Sequence, residues 1–176
     1  MTDQPIDPLK KVTETDDLLG KIRSTLAGFM GYVERDQRRE SDRILRKGIA
    51  DRYEKQWSRI SAIQRDLISD GKIEWVDDLE AAALKLRAFI DRVRTASYGY
   101  AGLFDHARIG KDELAQLYAY DAALLDHAAI VAGAVDNVEA SIGTDGLPAA
   151  IRNLTNISQE AVDQFDERHE IILEEH

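Results

Sequence analysis

The sequence predicts an all-α fold, an antiparallel up-down-up-down four-helix bundle with an additional N-terminal amphipathic helix. Three observations lead there. Apolar residues recur at steps of three and four along almost the whole chain, the period of a helix with one buried face. Nowhere do apolar and polar residues alternate for long enough to make a half-buried strand. Turn signals at residues 69–71, 104–110 and 143–146 cut the pattern into long pieces joined by short connections, and such helices pack as antiparallel neighbours.

The first segment covers residues 16–33, after a flexible stretch over 1–15, with Thr13 or Thr15 placed to cap it. On a helical wheel Leu18, Leu19, Ile22, Leu26, Phe29, Met30 and Val33 share an arc of about 120 degrees, and small or lightly charged residues oppose them. The stripe ends there, since Asp36, Gln37, Glu40 and Ser41 take the next positions. The second segment, 38–70, carries Ile44, Leu45, Ile49, Tyr53, Trp57, Ile60, Ile63 and Leu67. Gly71 ends it, because glycine accepts the left-handed backbone that closes a helix. Asp77 and Glu80 form a capping-box pattern for the third segment, whose stripe runs from Leu79 through Leu86, Ile90 and Val93 towards Tyr100. The fourth, 112–142, opens on Asp112 and Glu113, which suit the helix dipole; its regular stripe is interrupted once, at Asp121. Pro148 fits only the opening turn of the fifth, 147–173, with Leu154, Ala161, Phe165 and His169 on its stripe. Segments of roughly 27 to 33 residues, about 40 to 50 Å long, make a bundle over 38–173 within one domain, 1–176.

Composition narrows the functional classes. The chain has 176 residues, 44% of them hydrophobic and 32% charged, a formal net charge of -10 and no cysteine. A disulfide framework, a thiolate zinc site and a thiol nucleophile are therefore excluded. The first eight residues are acidic and broken by proline where an export signal would be basic and then apolar, and the longest uncharged apolar run, 128–135, is too short to cross a membrane. The expected location is the cytoplasm. Charge is uneven: residues 1–65 hold 14 Lys/Arg against 11 Asp/Glu, or +3, and residues 66–176 hold 9 against 22, or -13. The basic excess is densest over 35–47, and pairing between the two halves is the simplest use for it.

Catalytic motifs are absent. There is no Gly-x-Ser-x-Gly elbow, phosphate loop or His-Glu-x-x-His. A di-iron bundle needs Glu-x-x-His on two helices, yet the residues three before His106, His127, His169 and His176 are Leu103, Leu124, Asp166 and Leu173. No enzyme activity, cofactor or metal is expected. Three features stand out instead. Asp121 occupies a core position with tyrosines and His127 nearby; it is either a seam-edge residue paired to an arginine, part of a buried network that sets bundle register, or a ligand or ion site. Around Tyr98 and Tyr100, Gly99 and Gly102 break what should be helix, which suggests close packing or an aromatic partner patch. The apolar arc of Leu18, Ile22, Leu26, Phe29 and Met30, flanked by Arg35, Arg38 and Arg39, is built either to dock on its own bundle or to meet a partner or membrane surface.

These features predict a non-enzymatic helical-bundle interaction or scaffold protein that acts through protein-protein contacts, with a protein partner or self-association. Peripheral membrane association through the N-terminal helix and its basic flank is a second reading. A small-ligand or ion-binding bundle centred on Asp121 is a third. Nucleic acid is not an expected partner, because the net charge opposes it and no aromatic residue interleaves the basic run.

Overall fold

Five α-helices and one short 3-10 turn make up residues 8–96 and 110–173, which are the residues this computed structural model describes. Helix α1 spans Pro8–Thr25, α2 Arg35–Ser69, α3 Val76–Thr95, α4 Lys111–Ser141 and α5 Leu147–Leu173, with the turn Ile73–Trp75 leading into α3. No strand occurs among the described residues. Pro8 begins α1 and Pro148 lies in the first turn of α5, where a missing N–H is harmless. Helix α2 closes in a Schellman motif: the Gly71 N–H donates to the Ile68 carbonyl at 3.1 Å and the Lys72 N–H to that of Leu67 at 2.8 Å, with Gly71 at φ 73°.

Helices α2 and α3 are antiparallel, as are α4 and α5, each pair being joined by a short turn. The remaining neighbours are parallel. Arg59 of α2 bonds Asp136 at 2.5 Å and Glu139 at 2.9 Å on α4, while Tyr53, one and a half turns earlier, meets His127. Likewise Lys85 and Arg92 of α3 bond Gln159 and Asp166 of α5 in ascending order. Helix directions thus alternate as the sequence predicts, but α3 packs on α2 and α5 rather than on its chain successor α4, so the 97–110 connection joins diagonal corners. That connection is long enough for either arrangement, and the hydrophobic period does not distinguish them. A single core fills the square. It is lined by Leu45, Ile49 and Ile60 of α2, Leu86 and Phe89 of α3, Leu124 and Val131 of α4, and Leu154 and Phe165 of α5.

The N-terminal segment differs most from expectation. Helix α1 already begins at Pro8, so neither Thr13 nor Thr15 caps it and residues 8–15 are helical. It also stops at Thr25. Residues 26–34 form a non-helical strap that turns at Gly28 (φ 86°) and Gly31 (φ 102°), conformations that disfavour any side chain. Helix α1 then packs against α4, and Leu26 reaches α2 at Gly48, where an added Cβ would lie 2.3 Å from its Cδ2 atom. The Asp77–Glu80 capping box does not form either. Val76 starts α3, Trp75 is its N-cap with no side-chain cap bond, and Glu80 instead accepts from Gln64.

Candidate functional site

Asp121 is fully buried in α4, where two other elements supply its partners. From α5, Arg168 donates through Nε to one carboxylate oxygen at 2.6 Å; from the strap, the Tyr32 hydroxyl donates to the other at 2.7 Å. The Arg168 Nη2 atom continues to Asp42 of α2 at 3.1 Å, and Asp42 accepts from Arg46 Nε at 2.7 Å. With both carboxylates ionised the four charges cancel, which is the condition for burying them together. The strap backbone closes over this pair. Its Tyr32 N–H donates to the Tyr118 hydroxyl at 2.9 Å, and the Met30 and Gly31 N–H groups share Ser41 Oγ at 3.2 and 3.0 Å. Arg38 Nε donates to the Tyr32 carbonyl at 2.6 Å. The Tyr32 ring stacks on Tyr118 and meets Phe29 edge-on, each at 5.4 Å between centroids.

Burial governs the ionisation here. It pushes the Asp121 carboxyl above its ordinary value, and the Arg168 guanidinium and Tyr32 hydroxyl oppose that without cancelling it. Tyr32 is held well above the ordinary phenol value by burial and then by the Asp121 charge. Arg168 is desolvated too, yet the carboxylates and Tyr32 around it hold it charged. A second, smaller group lies along the same core. The Tyr53 hydroxyl is 3.0 Å from Nδ1 of the buried His127 and 3.2 Å from the Leu124 carbonyl, and His127 Nε2 is 3.4 Å from Glu160. The His127 ring thus has a hydroxyl against one nitrogen and a carboxylate facing the other. Burial raises the Tyr53 phenol as well.

The residues singled out by sequence fare unequally. Asp121 is buried and bonds an arginine, in a charge network that joins α4, α5, α2 and the strap. His127, named as its neighbour, is 2% exposed and bonds Tyr53 instead. Ile22, Leu26 and Phe29 are buried in the core at 0%, 6% and 2%, so they present no surface to a membrane or partner; Leu18 is half-buried and Met30 is half exposed. Of the basic flank, Arg38 bonds the strap, Arg43 pairs with Glu40, Arg46 with Asp42 and Lys47 with Asp51, and Arg39 is exposed. Tyr98, Tyr100 and the side chain of Arg35 lie outside the described residues. The sequence reading missed Tyr32 and Arg168. The signal for Arg168 was present, since 161, 165, 168 and 172 continue the stripe of α5 as well as a path through His169 does.

Among the described residues no three His, Asp or Glu side chains gather as a metal would need, and no helix is long and apolar enough to cross a membrane. A cleft of about 370 Å³ opens at the opposite end of the bundle, where Asp77, Asp78, Arg152 and Asn156 line the space between the first turns of α3 and α5. No protein-family model, curated protein or solved structure matches the chain. The class of the molecule is therefore read from its own geometry, which is that of a helical bundle with a neutralised buried charge network.

Proposed function

We propose that this chain is a non-enzymatic helical-bundle protein that works through protein-protein contacts, and that its contact surface is the outward face of α4. One observation carries the reading. Between residues 116 and 140 the exposed carboxylates of α4 are all paired, Asp126 by Lys21 and Asp136 and Glu139 by Arg59. The rest of that face is Ala119, Ala123, Ala129, Ile130, Gly133 and Ala140 with Gln116 and Asn137, in a chain of net charge -10. Ile130 stands 53% exposed in its middle. Small residues let a second helix approach closely, and a neutral strip on an acidic protein associates with little charge repulsion. The strongest catalytic candidates, Asp121 and Arg168, are occupied by one another, which also favours a binding role.

A photo-crosslinking group in place of Ile130, in the full chain and its native extract, is expected to give discrete adducts that Gly133→Arg abolishes. The same group at exposed Ser58 on α2 should give none. A side chain at Gly133 meets nothing within 4 Å, so that variant keeps the fold. Equal adducts from both positions, or none from Ile130, would remove α4 as the contact face.

A further inference from the structure

We infer that the end of α1 and the strap, residues 18–34, form a lid that opens as one unit on an otherwise intact bundle, with Tyr32 on the Asp121–Arg168 pair as its latch. Three features of the closed state carry this. The lid lies outside the square of four helices: α1 packs on α4, whereas each of the other four helices packs on at least two partners within the square. At the start of the strap the Leu26 N–H still donates to the Ile22 carbonyl of α1 and the Phe29 N–H to that of Leu26, but the N–H groups of Met30, Gly31 and Tyr32 all donate to side chains, Ser41 and Tyr118, that water replaces on opening. Its carbonyls likewise accept from side chains, Met30 from Arg23 and Tyr32 from Arg38, while Arg52 holds the carbonyl of Thr25 at the end of α1.

What the lid covers is as telling as how it is held. Tyr32 lies against a pair that α2, α4 and α5 already hold by themselves, through Arg168 to Asp121 and Asp42. Opening removes one donor from Asp121 and admits water in its place; the helix contacts of the pair persist. The same step lifts Leu26 off Gly48 and Phe29 off Tyr118, contacts that lie within four residues of each other on the strap. Segments that open below the global free energy are those with low contact density, and the lid, on one flank of the square, is tied to the core by four buried side chains, Ile22, Leu26, Phe29 and Tyr32.

Hydrogen exchange of the full chain, resolved by peptide, tests this. Amides of 22–33 are expected to exchange faster than those of 49–60 in α2 and 124–138 in α4. Tyr32→Phe should speed lid exchange by roughly tenfold, the loss of one hydrogen bond to a charged group, and leave 147–158 in α5 unchanged. Gly48→Leu provides an independent route, since its side chain takes the seat of Leu26 without touching the latch; it should deprotect the same amides and no others. Lid and core amides exchanging at one common rate, with both variants accelerating them in parallel, would show that the lid is part of the global cooperative unit and overturn the inference.

Discussion

Arg168 is the residue on which the buried network turns, since among the described residues it links α5 to both Asp121 and Asp42. A buried ion group of this kind holds helices together no better than well-packed apolar side chains of similar volume. Removing one member is different, because it strands the others. Arg168→Met leaves two carboxylates without their shared cation and is expected to destabilise by about 3 to 5 kcal/mol in urea denaturation. Adding Asp121→Leu to it should recover part of that loss, and strictly additive effects would show that the pair is not coupled. The pH dependence of Asp121 runs opposite to the usual carboxylate. Its folded value is raised above the ordinary 3.8 by burial, so the folded state holds the proton more tightly. Its contribution is present below the unfolded value and is lost as pH rises through the folded one. Denaturation midpoints over that window should therefore show wild type losing stability relative to Asp121→Asn as pH rises; a relative gain would contradict the assignment. The importance of Asp121 was legible as a break in a regular stripe. Its partner was legible only as one of two continuations of the α5 stripe, through Arg168 or through His169, and an arginine on a helix is ordinarily a solvated side chain.

At the scale of elements, periodicity located α2, α4 and α5 to within a few residues and failed at 26–34. The failure has a physical cause. Leu26, Phe29, Met30 and Val33 keep helical spacing, yet Gly28 and Gly31 adopt positive φ, and the strap is fixed by side chains from Ser41 and Arg38 on α2 and from Tyr118 far along the chain. Local pattern cannot register such tertiary bonds. Two of the four stripe residues consequently end up exposed, Met30 at 52% and Val33 at 63%, while Tyr32, off the stripe, is fully buried. The buried half of the arc still predicts its energetics. Leu26→Ser and Phe29→Ser each remove a large apolar side chain from the core and should destabilise by about 2 to 5 kcal/mol, read from chemical denaturation. Because the lid opens on its own, the double variant is expected to lose less than the two single losses combined: once the lid stands open, further damage to its contacts changes nothing. Full additivity of the two would place them in the global unit.

Across the whole molecule the charge asymmetry seen in the sequence becomes a pattern of cross-helix pairs. The basic half reaches the acidic half through Lys21–Asp126 and Arg59–Asp136, but there are too few cations to serve α5. Glu160, Asp163, Glu167 and Glu170 lie exposed along one face at steps of three and four, and among the described residues none of them bonds a lysine or arginine. Like charges at that spacing repel, and the exposed pairs elsewhere contribute little individually. Two opposing salt effects follow. Screening weakens the cross-helix pairs, which lowers stability, and relieves the repulsion along α5 and of the net charge of -10, which raises it. The excess of carboxylates decides the sign. Raising ionic strength from about 0.01 to 0.15 M shortens the screening length from roughly 30 to 8 Å, beyond the 5–6 Å between neighbours on the ridge but well within the span of the whole ridge. Tm is therefore expected to rise by a few degrees, about 2 to 4 °C for each kcal/mol relieved in a chain of this size. Glu167→Gln should raise Tm at low salt and flatten its dependence on salt, since it removes a charge between two like neighbours. A Tm that falls with added salt would mean that the pairs between helices, and not the acidic ridge of α5, dominate the electrostatics of the fold.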